Sequence, residues 1–230
     1  MTIFNHVGFA EGKTVAPILE QINGATRYYK TPDGAKYPSI TSVLGASPAK
    51  KVALGEWANK VGHNEANRIK REAADRGTHI HKLAEDYLNN LTPDTSTLKD
   101  NFVYLEMWKN FTPVLNRIDT IHCQEARLFS HYLKMAGTVD CIGKFDGRLS
   151  IIDFKTSTKY KKKEWIKDYF MQCAAYAIMY EELTSIPIDT LAVLISVENN
   201  DPLVYIERRD DWVRPLLEAR QFYAETVENS

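Results

Sequence analysis

The spacing of hydrophobic positions changes near residue 118 of the chain. Between residues 49 and 90, apolar residues recur at intervals of three and four, which predicts amphipathic helices. We expect Gly62 and Gly77 to divide this stretch into two or three helices. A further helix is expected over residues 97–115.

Before these helices the chain is rich in turn residues. Asp33-Gly34 predicts a turn between two short strands, and Ser39 and Ser47 are each placed to cap a helix that follows. Pro48 stands at the first helical position after Ser47, where proline is favoured.

From residue 118 onward the pattern alternates between strand-like and helical segments. Residues 118–157 are rich in Ile, Val, Phe and Leu, with turn residues between the apolar runs, and predict three strands. The elements expected after them are a helix over 163–183, strands over 191–197 and 203–207, and a helix over 211–226. This order, β-β-β-α-β-β-α over residues 118–230, predicts an α/β fold with a mixed sheet flanked by helices. Residues 1–117 then form a mainly helical N-terminal lobe of one domain spanning 1–230.

Composition excludes several classes of protein. The chain has 230 residues, of which 44% are hydrophobic and 26% charged, which is ordinary for a globular protein. It has no apolar run near the roughly 18 residues that a membrane helix needs, and its start lacks a signal pattern, so we expect a cytoplasmic protein without a membrane partner. Cys123, Cys141 and Cys173 are odd in number and form no CxxC, which excludes a disulfide framework and a four-thiolate zinc or iron–sulfur site.

The candidate chemistry is concentrated in residues 136–157. Asp146-Gly147 is a favoured two-residue hairpin turn, and the symmetric register places Asp140 opposite Asp153. Lys155 projects to the same face as Asp153, because it follows two residues later in the strand. Two facing carboxylates repel each other, and a divalent cation such as Mg²⁺ or Mn²⁺ would remove that repulsion.

The alternative is a surface hairpin whose charges are solvated. Asp153 argues against this alternative, because it lies inside the apolar run LSIIDF, where a carboxylate must be paired or bound to metal.

The segment after this hairpin combines basic and aromatic residues. Residues 144–167 contain eight basic and three acidic side chains, although the whole chain has a net charge of −1. Helical spacing places four residues on one face of the predicted helix: Trp165, Tyr169, Gln172 and Tyr176. With Lys159, Lys161, Lys162 and Lys163 they could bind a nucleic-acid strand, the phosphates on the lysines and the bases on the rings. The alternative is a solvated lysine turn followed by ordinary core aromatics.

An earlier helix carries histidines in the segment RGTHIHKLAEDYL. His81 and Glu85 lie one turn apart on one face, and His79 is a second candidate ligand. Spacing alone does not choose between the histidines, and a lone histidine is more often structural.

Four short motifs together resemble the RecB-like branch of the PD-(D/E)XK nuclease superfamily. Its pattern is GxxxH, GxxD, (D/E)xK and QxxxY, and the four matches occur here in that order: Gly77–His81, Gly137–Asp140, Asp153–Lys155 and Gln172–Tyr176. The upstream segment Tyr37–Thr41 also resembles the mitochondrial genome maintenance exonuclease group and its phage relatives. The resemblance implies a restriction-endonuclease-like fold.

The resemblance also implies a role for each matching residue. His81, Asp140, Asp153 and the backbone carbonyl of Phe154 would bind the metal, and Lys155 would be the catalytic lysine. Gln172 and Tyr176 would position the strand, and Glu125 is a weaker candidate for the same cleft. In the (D/E)xK motif of the family the acidic residue is more often Glu, whereas this chain has Asp153. The iron–sulfur variants of the family need four cysteines, so no iron–sulfur cluster is expected.

These expectations define a Mg²⁺- or Mn²⁺-dependent DNA exonuclease, with single-stranded DNA as the preferred substrate. The preference for single strands rests on analogy with the group, in which the helical lobe could form an arch. The alternatives are a structure-specific endonuclease on the same core, an inactive nucleic-acid-binding module, and a metal-dependent enzyme for a small molecule. The polarity of digestion, the choice of DNA over RNA, the number of metals, the oligomeric state and the pathway stay open.

Overall fold

The computed structural model describes residues 2–10, 20–22, 26–98 and 101–228. Positions 99 and 100, inside the helix predicted over 97–115, lie outside the described residues. In their neighbourhood a short 3₁₀ turn covers Thr95–Leu98, and the helix α4 begins only at Phe102 and ends at Leu115.

A small antiparallel sheet opens the chain. Its strands are β1 (Glu20–Ile22), β2 (Tyr28–Lys30) and β3 (Lys36–Pro38), and the Asp33-Gly34 turn joins the last two as predicted. Ser39 caps the helix α1 (Ile40–Gly45), since its Oγ accepts a hydrogen bond of 3.1 Å from the Ser42 N–H.

Two helices then extend from the core. They are α2 (Pro48–Val61) and α3 (His63–Leu88), separated at Gly62, whose φ of +89° suits glycine. The side chain of Ser47 makes no capping hydrogen bond to α2. Between residues 48 and 75 the buried side chains are Ala58 and Ala66, so this helical hairpin is largely surrounded by solvent.

The predicted break at Gly77 was wrong. Helix α3 continues through this residue, because Ile80, Leu83 and Ala84 in the following turns are buried in one core cluster with Phe154. That burial outweighs the roughly 1 kcal/mol that glycine costs in a helix interior.

The core is a five-stranded mixed sheet in the order β4-β5-β6-β7-β8. The bounds of its strands are β4 Ile118–Ser130, β5 Met135–Phe145, β6 Arg148–Ser157, β7 Thr190–Val197 and β8 Leu203–Arg208. All neighbours are antiparallel except β6 and β7, which are parallel and are connected through the helix α5 (Lys167–Thr184). The predicted order of strands and helices and the α/β class are confirmed.

Helices cover both faces of the sheet. On one face Phe154 and Ile152 of β6 pack with residues of α3 and α4. On the other face Ile151, Val193 and Ile195 pack with α1, α5 and the last helix, α6 (Asp210–Tyr223). A single π-helical turn follows at Ala224–Glu228. Within the described residues, no helix is both long enough and apolar enough to cross a membrane.

The hairpin between β5 and β6 has the predicted register. Asp146 and Gly147 have φ values of +49° and +78°, as a tight two-residue hairpin turn requires, and Phe145 pairs with Arg148. The pairing ends at Cys141 and Ile152, one residue before the aspartates that were expected to face each other. Beyond that point β5 and β6 no longer pair, whereas β6 stays paired with β7 as far as Ser157.

Candidate active site

The two strands separate where the first aspartate lies. Oδ2 of Asp140 accepts a hydrogen bond of 2.7 Å from the backbone N–H of Phe154. The carboxylate therefore accepts the hydrogen bond that a backbone carbonyl of β5 would accept in a continuous sheet. Its other oxygen, Oδ1, lies 3.8 Å from Nδ1 of His81. This oxygen therefore lies beside the helix α3, which carries His81.

The second aspartate is buried beside the lysine. Asp153 is 1% exposed, and its Oδ2 lies 2.5 Å from Nζ of Lys155. This ion pair lacks hydrogen-bond geometry, so both carboxylate oxygens are buried without a hydrogen-bond partner. The predicted common face of Asp153 and Lys155 is present, and Lys155 also lies over the ring of Tyr169 at 5.1 Å.

Burial dominates the protonation of this pair. It raises the pKa of Asp153 to about 6, with a smaller rise from Asp140, while Lys155 opposes the change. Burial alone would lower the pKa of Lys155, but the carboxylates of Asp153 and Asp140 outweigh it, so this pKa lies above its ordinary value. The lysine is therefore a permanent cation at neutral pH.

Three potential metal ligands converge next to this pair. One ligand atom each of His81, Glu125 and Asp140 lies within 4.8 Å of the other two. Glu125 and Asp140 stand opposite each other in the β4–β5 register, between the pairs Gln124–Cys141 and Ala126–Val139. Glu125, named as a weaker candidate from the sequence, is thus nearer to His81 and Asp140 than that ranking implied.

The backbone and the charge of Glu125 are both unusual. Its φ is +46°, an uncommon conformation for a residue other than glycine, and it takes Glu125 out of the regular pairing with β5. The side chain is exposed at the mouth of the cleft, yet desolvation by the surrounding walls, Asp140 and Glu85 raise the pKa of its carboxyl to about 7. A cation would relieve this accumulation of negative charge.

A cleft of about 450 Å³ leads to these ligands. Six residues line it: Gly77, Thr78, His81, Lys82, Glu85 and Glu125. Glu85 lies here one turn after His81, but it pairs with Lys82 at 3.3 Å and is outside the three-ligand group. His79 points elsewhere, since its Nδ1 lies 2.9 Å from the Asp75 carbonyl. The geometry therefore favours His81 over His79, in agreement with the GxxxH spacing.

Gly137 makes room for Tyr176. A Cβ at this glycine would lie 3.0 Å from both Cε1 and the hydroxyl of Tyr176. Tyr176 is 3% exposed, and Nε2 of Gln172 donates a hydrogen bond of 3.4 Å to its hydroxyl. Burial raises the pKa of Tyr176 far above its ordinary value, so its hydroxyl stays protonated. Gln172, the first residue of the QxxxY motif, is half-buried, whereas Tyr176 is buried.

The lysine segment forms an exposed loop before α5. Nζ of Lys162 lies 5.5 Å above the ring of Trp165, which is 65% exposed, and Lys163 pairs with Glu207 at 2.6 Å. Trp165 belongs to the 3₁₀ turn Lys163–Trp165 and not to α5, which begins at Lys167. The expected helical face of four aromatic and amide residues therefore contains only Tyr169, Gln172 and Tyr176. Lys159 and Lys161 belong to the same loop.

The fold thus combines a mixed sheet, whose separating strands carry two aspartates and a lysine, with a covering helix that contributes a histidine. The profile of the PD-(D/E)XK nuclease superfamily matches residues 103–221, and the chain belongs to this superfamily. The expected family and the restriction-endonuclease-like fold are confirmed. The match includes Asp140, Asp153 and Lys155 and begins after the GxxxH motif.

Two individual proteins resemble the chain. Mitochondrial genome maintenance exonuclease 1 of Mus musculus is 22% identical over 179 residues, which cover 72% of this chain and 51% of the mouse protein. The chain thus spans about half the length of that curated relative. The crystal structure of a proposed exonuclease from Eubacterium rectale has a TM-score of 0.47 at 14% identity, over 66% of this chain and 65% of that one.

Proposed function

We propose that this protein is a DNA exonuclease that requires a divalent metal and prefers single-stranded DNA. The observation that carries the proposal is the convergence of His81, Glu125 and Asp140, with ligand atoms within 4.8 Å, beside the buried Asp153–Lys155 pair. Carboxylates with a histidine at this separation suit Mg²⁺ or Mn²⁺. The second oxygen of Asp153, Oδ1, is buried without a hydrogen-bond partner, and a bound cation would satisfy it.

The metal would be held by His81, Asp140 and Asp153, with the Phe154 carbonyl and Glu125 as further oxygen ligands. When bound, it would supply an activated water and a positive charge beside the scissile phosphate. Asp140 is oriented by the Phe154 N–H, so its free oxygen stays directed at the site.

Lys155 stabilises the negative charge that develops on the attacked phosphate. Its ammonium is held in place by Asp153 and by the ring of Tyr169, so it needs no reorganisation during the reaction. Gln172, fixed by Tyr176, is placed to contact the strand next to this phosphate. The lysines of the loop bind neighbouring phosphates, and Trp165 offers an exposed ring for a base.

The preference for single strands rests on the helical hairpin of α2 and α3. Residues 48–75 of this hairpin are largely solvated. They come directly before the cleft-lining residues of α3, so a strand bound in the cleft would lie beside the hairpin. The exonuclease assignment agrees with the name of the mouse relative.

The test uses linear single strands labelled at the 5′ or the 3′ end, a linear duplex, and a closed single-stranded circle, each with Mg²⁺, Mn²⁺ or EDTA. We expect metal-dependent loss of the linear strand and an intact circle, and no cleavage by Asp153→Asn or Lys155→Ala. Cleavage of the circle would favour the endonuclease alternative. Binding of the strand without any cleavage would favour the inactive module.

A further inference from the structure

A second cleft lies on α3, nearer to the start of the helix than the cleft at the proposed metal site. Its volume is about 550 Å³, and four polar residues line it: Asn64, Asn67, Lys70 and Arg71. We call these four residues the α3 ridge. All four are exposed, and none of them belongs to the four short motifs or to the proposed ligands. The function proposed above therefore leaves this cleft without a role.

The α3 ridge lies on the same face of the helix as the residues of the metal-site cleft. Asn64 and Lys82 are 18 residues apart, which corresponds to about five complete turns. Lys70 and His81 are 11 residues apart, which is about three turns with a rotation of about 20° between them. Lys82 and His81 both line the metal-site cleft. One continuous face of α3 therefore carries both clefts.

The two cations of the α3 ridge are available to a ligand. Within the part of the chain that the structure describes, no carboxylate lies at ion-pair distance from Lys70 or Arg71. The neighbouring Arg68 differs, because it pairs with Glu65 at 2.6 Å and also with Glu72. Arg68 thus balances these two acids, whereas the positive charges of the α3 ridge are not balanced by a nearby carboxylate.

The helical hairpin that carries the α3 ridge contacts elements of the site through both of its helices. Helix α3 passes beside β6, where a Cβ at Gly77 would lie 4.0 Å from Oγ1 of Thr156, the residue after Lys155. Helix α2 begins beside α5, where Nζ of Lys50 lies 2.6 Å from Oδ2 of Asp168. The α3 ridge therefore belongs to a part of the protein that adjoins the site on two sides.

We propose that the α3 ridge binds the phosphate backbone of the single-stranded substrate, several nucleotides away from the scissile bond. This inference rests on the proposed function and adds a second binding surface to it. Lys70 and Arg71 bind phosphates, and the amides of Asn64 and Asn67 donate hydrogen bonds to phosphate or sugar oxygens. The ridge has no aromatic ring on which a base could stack, so its contacts are with the backbone.

The length of α3 determines how long a strand must be to reach the ridge. Lys70 precedes His81 by 11 residues, a rise of about 16 Å along the helix. A strand that rises about 3.4 Å per nucleotide covers this distance in about five nucleotides, and a more extended strand covers it in fewer. A shorter oligonucleotide occupies the metal site alone. The α3 ridge therefore makes the affinity for DNA depend on the length of the strand.

Two other roles of the ridge have different consequences. A ridge that is only solvated contributes nothing to DNA binding at any strand length. A ridge that binds an acidic protein also leaves the affinity for DNA unchanged, although its free cations would attract either polyanion. The shared face of the two clefts favours DNA, because a strand that leaves the metal site along α3 meets the ridge.

The experiment compares wild type with Arg71→Gln, the double variant Lys70→Gln/Arg71→Gln and the matched control Arg68→Gln. The control removes one positive charge from the same stretch of α3, but from a side chain that is already paired. Affinities for labelled single-stranded oligonucleotides of roughly 3 to 15 nucleotides are measured in EDTA by fluorescence anisotropy at several salt concentrations. Thermal unfolding verifies the fold of each variant. The values of kcat and KM are measured in Mg²⁺ with short and long strands.

We expect the double variant to bind long strands roughly 3- to 30-fold more weakly than wild type. Short strands should bind equally well, because the ridge lies more than a Debye length of about 8–10 Å from the metal site. For long strands the slope of log Kd against log salt should fall by about 1.4, or by about 0.7 for Arg71→Gln alone. KM for long strands should rise while kcat is unchanged, since the contact is remote from the scissile bond. Arg68→Gln should keep the salt slope of wild type.

Three results would overturn the inference. They are equal affinity of the double variant and wild type for long strands, an equal loss for strands of every length, and a loss in Arg68→Gln as large as that in Arg71→Gln. Should the double variant not fold, Arg71→Gln alone decides by the same comparisons. If wild type binds and cleaves single strands in these cases, only the inference fails; if wild type does neither, the proposed function fails with it.

Discussion

The backbone N–H of Phe154 donates a hydrogen bond of 2.7 Å to the carboxylate of Asp140, at the point where β5 and β6 cease to pair. One side chain therefore does two things: it satisfies a buried backbone donor of the neighbouring strand, and it presents its second oxygen to the site. Because Asp153 and Lys155 flank Phe154, the same bond fixes the position of these two candidate residues relative to β5.

Substitutions at Asp140 should separate these two roles. Asp140→Asn keeps an oxygen acceptor for the Phe154 N–H but loses the charge, so we expect it to lose cleavage and keep its stability. Asp140→Ala loses both, and the unsatisfied N–H should lower the free energy of unfolding by about 1–3 kcal/mol. Urea denaturation without metal, beside a nuclease assay, measures the two effects. Equal stability of the two variants would contradict the role of the hydrogen bond.

The stability of the metal-free protein should fall as pH rises from about 4 to 6. The ordinary pKa of Asp153 is 3.8, and burial raises it to about 6 in the folded state. Over this interval the folded protein binds more protons than the unfolded chain, so each step upward in pH favours unfolding, and the fall ends above the folded pKa.

Urea midpoints in EDTA between pH 4 and pH 7.5 would measure this fall, and Asp153→Asn should reduce it. A fall of the same sign, which extends to about pH 7, remains in that variant, because the pKa of Glu125 is raised to about 7. An Asn variant with the full wild-type slope would show that Asp153 titrates normally.

The two motif glycines should respond oppositely to alanine. At Gly137 a Cβ would lie 3.0 Å from Tyr176 and 3.2 Å from Ile40, so Gly137→Ala should cost about 1–3 kcal/mol and displace Tyr176 from Gln172. At Gly77 the nearest atom is Oγ1 of Thr156 at 4.0 Å, an ordinary contact. Gly77→Ala should therefore add about 0.5–1 kcal/mol through its better helix propensity. Chemical denaturation measures both, and a stabilised Gly137→Ala would refute the close approach.

Glu125 and Glu85 should differ in their effect on metal binding. Glu125 belongs to the three-ligand group, whereas Glu85 is paired with Lys82. We expect Glu125→Gln to weaken Mn²⁺ binding at least tenfold and to reduce the rise in melting temperature that saturating Mn²⁺ produces. Glu85→Gln should bind Mn²⁺ like wild type. Isothermal titration calorimetry gives both affinities, and similar values for the two variants would remove Glu125 from the ligand set.

The lysines of the loop should contribute unequally to DNA binding. Lys163 is already paired with Glu207 at 2.6 Å, whereas Lys162 lies over the exposed ring of Trp165. Lys162→Gln should reduce the salt slope of single-strand binding by about 0.7, and Lys163→Gln should reduce it less. Anisotropy titrations at several salt concentrations distinguish them, and a larger effect of Lys163→Gln would reverse the assignment.

The order of elements could be predicted from the sequence because each has a clear period and clear turn residues. The Asp146-Gly147 turn alone determined the register of β5 against β6 as far as Cys141 and Ile152. The departure one residue later could not be predicted, because the turn fixes the register of the two strands but not the length over which they stay paired. Gly77 was misjudged because burial of the following turns outweighed its local propensity.

The site was predictable where residues follow one another along a strand or a helix. Asp153 and Lys155 share a face by alternation, and His81 follows from the GxxxH spacing. The closeness of Glu125 to Asp140 was not predictable, because an irregularity between Asp119 and Cys123 sets the register of β4.

The parallel pairing of β6 and β7 has a consequence for the time at which the protein becomes active during its synthesis. Asp153 and Lys155 lie on β6, but one edge of that strand has no partner until residues 190–197 have left the ribosome. The proposed ligands come from α3, β4, β5 and β6, so no short nascent fragment contains a complete and supported site. The proposed cleavage activity should therefore emerge only after residue 197 has been synthesised, and shorter nascent fragments should be inactive.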